Sequence, residues 1–249
     1  MSIKTSRFVD KKFRNKQLTP IYGYWNHPLV SLEEALTPIL PMISNLDRYM
    51  KVAKENCTHP SKHNLTINES AALYLYTMEW GKDSFYRILN KALRNEDRST
   101  LIPWFAFLKL FDTTLNKLPS LKKVIWRGVS VNISDQFKDN QETTWWNINS
   151  CSSSVHVIKN FLDKESTLFL IEAENGKDVS GYTNFPTEDE VILGPGTRFR
   201  VVGNALDHIG GLHVVHLKEI TKKDNEEEST TKTCPYPNQK SNTRNIIGK

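Results

Sequence analysis

The stretch Lys122–Val129, KKVIWRGV, is where the chain changes period. From it onward come short runs rich in β-branched and aromatic residues, VIWRGV, TTWWNI, LFLIEA, EVIL, FRVVG and LHVVHL, separated by Gly, Pro, Asn and Ser. One helix-like piece, VHVIKNFL, interrupts them. Many short strands without strand–helix–strand alternation predict antiparallel or mixed sheets packed face to face, not a doubly wound parallel sheet.

Working back from Lys122, the pattern is helical. Ser31-Leu32-Glu33-Glu34 reads as an N-cap followed by acids in the first turn, where they meet the positive end of the helix dipole. Leu36, Ile39, Leu40, Ile43, Leu46 and Met50 then recur at helical spacing, with Pro38 and Pro41 kinking or splitting the segment. Asn68-Glu69-Ser70 ahead of AALYLYTMEW and Asp83-Ser84 ahead of FYRILNKALR are two further capped patterns, and WFAFLKLFDTTLNKL after Pro103 is another. The predicted organisation is a basic flexible tail at 1–20, one domain at 21–220 with a helical lobe at 21–120 and a β core at 121–220, and a disordered polar tail at 221–249.

A chain of 249 residues with 38% hydrophobic and 10% aromatic residues can bury a core. The formal charge of +5 is concentrated in Lys4, Arg7, Lys11, Lys12, Arg14 and Lys16, set against Asp10 alone, so nucleic-acid binding is a weak inference from the overall charge. Cys57, Cys151 and Cys234 are odd in number and irregular in spacing, unlike a disulfide framework. The N-terminal basic residues precede no apolar stretch, and no segment approaches the ~18 consecutive apolar residues of a membrane span. The expectation is a cytoplasmic monomer without membrane contact, in which the sequons at Asn64, Asn68 and Asn132 carry no glycan.

Three places carry candidate chemistry. In Gly181–Leu193, GYTNFPTEDEVIL, an acidic run leads straight into apolar Val191-Ile192-Leu193. In an extended chain Glu188 and Glu190 share a face and Asp189 points away. Two carboxylates on one face repel each other unless a cation or polar ligand sits between them. A solvated acidic turn is the plain alternative, and a glycosidase-like carboxylate pair is another. Arg127 stands where the strand VIW breaks at Gly128; it is either a surface arginine or a guanidinium fork aimed at a phosphate, with Gly128 permitting close approach. The segment TTWWNINSCSSS supplies Asn147, Asn149, Ser150, Ser152, Ser153 and Ser154, more hydroxyls and amides than one helix cap needs. Neither a G-x-G-x-x-G nor a G-x-x-x-x-G-K loop is present. Cys57-x-His59 with His63 lacks a fourth metal ligand, and His213 and His216 point to opposite faces of a strand, so no metal is expected.

An arginine-glycine strand end, a serine-rich strand end and a Glu-x-Glu segment, in that order, resemble the R-S-E class of mono-ADP-ribosyltransferases, which includes vertebrate arginine-specific ectoenzymes and clostridial-type binary toxins. WRGV, TTWWNINSCSSS, TLFLIEAENGKDV, TEDEVILGPGTRFRVVG and GLHVVHLKEI extend the similarity over most of 122–220, and the helical segment from about Tyr22 is similar to the lobe preceding the core in related eukaryotic proteins. The resemblance implies an α+β fold, a helical lobe followed by a two-sheet β-sandwich with an NAD cleft between the sheets. It implies NAD as co-substrate without a metal, and a protein acceptor with an exposed arginine.

Carried over by position, Arg127, with Gly128 beside it, corresponds to the arginine that anchors the NAD pyrophosphate and nicotinamide-side ribose. Ser150 corresponds to the first serine of a Ser-Thr-Ser motif that orients the catalytic glutamate, with Cys151 in place of the threonine and Ile148-Asn149 in place of the usual Phe-Thr or Phe-Ser. Asn147 falls near the nicotinamide ribose, and Phe161 where an aromatic ring stacks on nicotinamide. Glu190 corresponds to the catalytic glutamate. Glu188 corresponds to the residue that is glutamate in arginine-specific members and glutamine in those modifying asparagine or cysteine. Tyr182 or Phe185 is the turn aromatic that contacts the acceptor. Water as acceptor would make the same site an NAD glycohydrolase, and loss of turnover would leave an NAD-binding or interaction module.

Overall fold

The computed structural model describes residues 7–10, 18–159, 162, 165–205, 212–221 and 224. Its helical half opens with α1 (Leu32–Leu36), capped by Ser31 in a reciprocal box with Glu34, so two backbone N–H groups at the helix start are satisfied. Pro38 and Pro41 do split the segment: the chain tightens into a 3-10 helix over Thr37–Met42 before α2 (Leu46–Asn56) begins. The next helix, α3 (Ile67–Thr77), starts ahead of the expected Asn68-Glu69-Ser70, because Thr66 is its cap and Glu69 closes the box. Then come α4 (Phe85–Leu93) and α5 (Phe105–Lys117). The aromatic rings of Tyr76, Phe85, Phe107 and Phe111 meet edge-on or stacked in the core these helices share.

The strands are β1 (Val9–Asp10), β2 (Ser120–Val129), β3 (Glu142–Trp145), β4 (Asn149–Ser152), β5 (Thr167–Asp178), β6 (Glu190–Leu193), β7 (Thr197–Ala205) and β8 (His213–Glu219), with a short α6 (Val155–Lys159) between β4 and β5. They join in one network, in the order β1-β2-β4-β6-β5-β8-β7-β3. Since β2 also pairs with β5, the strands β2, β4, β6 and β5 close on themselves. The expected pair of separate sheets is therefore replaced by a mixed, barrel-like closure. Its physical cause is the length of β5, whose twelve residues reach β2 and β8 along most of their course and β6 at Lys177–Asp178. Ile125, Phe137, Trp145, Phe169, Phe199 and Leu217 fill the space the strands enclose.

The helical half packs on the flank of the barrel through Ile148, Val179, Tyr182 and Ile192, which belong to its apolar core. Two expectations about segments change. Residues 7–10, placed in a flexible tail, contribute β1, parallel to β2 with Val9 opposite Gly128. Phe8 is fully buried against Ile158 and Leu168, a gain of about 2–3 kcal/mol that offsets the entropy of ordering the segment. The serine-rich segment is not merely the end of a strand: Asn149–Ser152 is itself a strand, buried at all four positions. Small polar residues have low strand propensity, so only pairing on both sides by β2 and β6 explains it.

Residues 220–249 form a second unit. Within it the Thr221 N–H and hydroxyl both donate to the Asp224 carboxylate at 2.7 Å; the rest of the expected polar tail lies outside the described residues. Among the described residues no helix is long and apolar enough to cross a membrane.

Candidate active site

Arg127, Ser150 and Glu190 stand on β2, β4 and β6, three strands adjacent in the sheet but drawn from distant parts of the chain. Trp126 is opposite Ser152 across β2 and β4, and Ser152 is opposite Glu190 across β4 and β6. Arg127 is buried, and its Nη1 donates to the Ser150 carbonyl at 2.7 Å. That contact ties the first two strands together at the site.

Glu188 and Glu190 do face one another's space, but not because the chain is extended. Pro186–Glu188 forms a 3-10 turn, and Asp189 takes a left-handed conformation with φ 48°. Asp is among the residues that tolerate that region, and the reversal brings both glutamates to one place. Ser152 holds this turn: its hydroxyl donates to the Glu188 carbonyl at 2.8 Å, while the Ser153 N–H donates to the Asp189 carbonyl at 3.0 Å.

Between the two carboxylates lies a cation of the chain itself. Arg7 Nη2 donates to Glu188 Oε2 at 2.7 Å and to Glu190 Oε2 at 3.1 Å, and its Nη1 donates to the Thr77 carbonyl. Thr77 ends α3, so the guanidinium also meets the negative end of a helix dipole. The Phe185 ring lies 4.9 Å from the guanidinium carbon. Burial works to lower the Arg7 pKa, but Glu190 and Glu188 outweigh it and hold the guanidinium above its ordinary value. The backbone of the same segment covers the other half of the site: Arg127 Nη1 donates to the Arg7 carbonyl at 3.2 Å, and the Gly128 N–H to the Phe8 carbonyl at 2.9 Å.

The remaining site residues are placed as follows. The Ser150 hydroxyl is 3.4 Å from the Tyr76 hydroxyl, which also approaches the Ile148 carbonyl at 3.3 Å, and burial pushes the Tyr76 pKa up to about 12. Asn147 is buried and exchanges hydrogen bonds with Asn149, at 2.8 and 2.9 Å; among the described residues it shares none with Arg127, Ser150 or the two glutamates. Phe161 lies outside the described residues. Tyr182 is buried, with its hydroxyl 2.7 Å from His63 Nδ1, whereas Phe185 is half-buried beside Glu188. His63 is thus engaged with Tyr182 and Cys57 contacts the Lys54 carbonyl at 3.5 Å.

Sequence reasoning counted Ser152 in the hydroxyl cluster without giving it a role of its own, and missed Arg7, Tyr76, Thr77 and Thr183, whose hydroxyl lies 3.4 Å from Glu190 Oε2. For Arg7 a signal existed, since the apolar pair Phe8-Val9 is out of place in a basic polar stretch. For Thr77 and Tyr76 none did; their helix reads as ordinary core.

The strand does not break at Gly128 but runs on to Val129, and this geometry, two carboxylates around a guanidinium beside a buried arginine and glycine of β2, stands together with a direct comparison. The sequence model of the NAD:arginine ADP-ribosyltransferase family matches residues 41–225, and the chain belongs to that family. A Mycobacterium avium (strain 104) protein, Mav, assigned by name to the NAD(+)–arginine ADP-ribosyltransferases, is 26% identical over 163 residues, 65% of this chain. The chain spans 19% of the length of that relative. Among solved structures, the type III effector XopAI of Xanthomonas axonopodis pv. citri is 21% identical, with 76% of this chain and 86% of that one superposed at a TM-score of 0.54. The ADP-ribosyltransferase Vis of Vibrio splendidus, solved with agmatine, is 20% identical over 80% of this chain and 91% of its own, with a TM-score of 0.52. Exoenzyme S of Pseudomonas aeruginosa, solved with human 14-3-3 protein beta and carba-NAD, is 19% identical over 76% and 86%, also at 0.52. The fold is of the type these proteins share.

Proposed function

We propose that the chain is a mono-ADP-ribosyltransferase that moves ADP-ribose from NAD to arginine side chains of protein acceptors, releasing nicotinamide. The observation that carries the reading is the Arg7 guanidinium held between Glu188 and Glu190, because the same two carboxylates offer an acceptor arginine matching charge and hydrogen-bond acceptors. Family membership supports it, as does the solution of Vis with agmatine, itself a guanidine, and of exoenzyme S with carba-NAD.

The residues fit a dinucleotide. Arg127 Nη1 and the Gly128 N–H both donate to carbonyl oxygens at the site, and a diphosphate offers oxygens to the same two donors. NAD supplies a neutral leaving group, nicotinamide, whose departure leaves positive charge on the ribose. Glu190, on a rigid strand and without solvent exposure, provides a fixed negative charge toward that developing cation. Glu188, 16% exposed at its side chain, accepts hydrogen bonds from the acceptor guanidinium and takes the proton that makes it a nucleophile, since arginine with a pKa above ~12 is otherwise charged. Ser152 fixes the Glu188 turn, Ser150 anchors Arg127 through its carbonyl, and Phe185 stacks against the acceptor. Asn147 and Phe161 are assigned to the nicotinamide side on the resemblance alone. The NAD cleft lies along β2, β4 and β6, and the enzyme needs no metal, acts as a monomer and works in the cytoplasm.

The test uses labelled NAD and a small guanidine acceptor. Glu190→Gln removes both transfer and NAD hydrolysis by about 10²–10³-fold, the scale of losing one charge-stabilising group. Glu188→Gln loses transfer and retains hydrolysis. Equal loss of both activities in both variants refutes the division of roles.

A further inference from the structure

We infer that Arg7–Asp10 is an intramolecular strap that closes the site, its guanidinium standing where an acceptor arginine would and its backbone occupying the donors that would hold NAD. The inference rests on the reading of Arg127, Gly128, Glu188 and Glu190 given above. Four contacts define it: Arg7 to Glu188 at 2.7 Å, Arg7 to Glu190 at 3.1 Å, Arg127 to the Arg7 carbonyl at 3.2 Å and Gly128 to the Phe8 carbonyl at 2.9 Å. The strap therefore engages both halves of the site at once. An N–H pointed at the Phe8 carbonyl is not available to a phosphate oxygen, and a carboxylate bonded to Arg7 is not available to a ribose hydroxyl.

The same contacts exclude Arg7 as an acceptor in this arrangement. Modification of its guanidinium needs the ribose of NAD beside Glu190, and Arg7 itself fills that place with two nitrogens, Nε at 3.4 Å and Nη2 at 3.1 Å. The segment acts by exclusion.

Attachment is concentrated at Arg7 and Phe8 and is slight beyond them. Phe8 sits with no exposure against Ile158 and Leu168, but the strand that follows pairs with β2 over Val9 and Asp10 only, in parallel and at one edge of the sheet. By comparison β2 pairs with β5 along most of its ten residues. Releasing the strap breaks two register pairs and leaves the barrel closed. The ligands that displace it are those whose groups it copies, NAD through the Arg127 and Gly128 donors and an acceptor guanidinium through Glu188.

The experiment compares the full chain with its Arg7→Ala variant, measuring NAD binding by titration calorimetry and nicotinamide release against NAD concentration. Arg7→Ala is expected to bind NAD at least about tenfold more tightly and to lower KM by the same factor with kcat unchanged, because saturating NAD displaces the strap from the unaltered chain as well. A peptide of residues 2–16 added to the variant restores the higher KM, and the same peptide carrying R7A does not. Equal NAD affinity in the two chains overturns the strap whatever the turnover. Tighter binding without nicotinamide release from either chain supports the strap and removes the transferase reading. Absence of NAD binding in both removes the two together. A second measurement guards against a variant that does not fold: hydrogen exchange on the unaltered chain, in which saturating NAD accelerates the Asp10 amide, the β1 N–H that faces β2. Unchanged or slower exchange there with NAD bound overturns the proposal.

Discussion

Replacing Ser152 by alanine removes one hydroxyl that serves two backbone groups. It donates to the Glu188 carbonyl at 2.8 Å and accepts from the Ser154 N–H at 3.1 Å, in a residue with no solvent exposure. Each hydrogen bond contributes about 1 kcal/mol net, and a partner left dry and unmatched costs a further ~1–3 kcal/mol. Since the carbonyl sits at the turn edge, where water can reach it after relaxation, the expected loss is about 2–4 kcal/mol. For a chain of this size each kcal/mol lowers Tm by about 2–4 °C, so Ser152→Ala should melt ~4–16 °C below the parent. Ser150→Ala provides the contrast. Its hydroxyl meets Tyr76 at 3.4 Å, near the limit of a hydrogen bond, and its loss should cost under ~1 kcal/mol. With the Glu188 turn no longer pinned, transfer to a guanidine acceptor should fall about 10- to 100-fold, and more than nicotinamide release does, because a displacement near 1 Å at a reacting group has that scale of effect. Differential scanning fluorimetry with both rate assays tests it. A Ser152→Ala chain that melts within ~2 °C of the parent, or one less destabilised than Ser150→Ala, refutes the assignment of Ser152 as the residue that holds the turn.

Further outcomes follow from packing and charge. A Cβ at Gly176 would stand 2.9 Å from Val191 Cγ1, so Gly176→Ala should destabilise by about 1–3 kcal/mol in chemical denaturation, and weaken the site through the β5–β6 edge. Burial pushes the Cys151 thiol up to about 12, so alkylation at pH 8 followed by mass spectrometry should leave Cys151 unmodified in the native chain and modified after unfolding. Burial tends to raise the Glu79 carboxyl, but donors from Ser84, Tyr86, the Gly81 N–H and Arg87 outweigh it and hold its pKa below the ordinary glutamate value. A depressed carboxylate stabilises fully above its unfolded pKa and loses that contribution as pH falls through the folded one. The stability gap between the parent and Glu79→Gln should accordingly be flat above about pH 5.5 and close below about pH 4, as read from urea midpoints; a gap that widens on acidification contradicts the sign.

Much of the fold could be read directly. The cap at Ser31, the split at Pro38 and Pro41 and the change to strands near Lys122 depend on residues within about one helical turn or one strand of each other. The carboxylate pair was legible too, although the turn at Asp189, not an extended chain, is what aligns it. By contrast β4 was hidden, since Asn-Ser-Cys-Ser has the composition of a loop and becomes a strand only through its neighbours on both sides.

By itself the sequence determined most of the elements apart from β1 and β4, their order and the presence of an arginine, a serine cluster and two glutamates suited to a cationic ligand, because local backbone preference and apolar periodicity act over a few residues. Only the tertiary structure decided that β2, β4, β6 and β5 close, that Ser152 pins the acidic turn, and that Arg7 sits between Glu188 and Glu190. The Arg7–Glu190 contact joins residues 183 positions apart. No local pattern encodes such a pairing, which arises when buried carboxylates must find a positive partner and a folded chain happens to carry one to them.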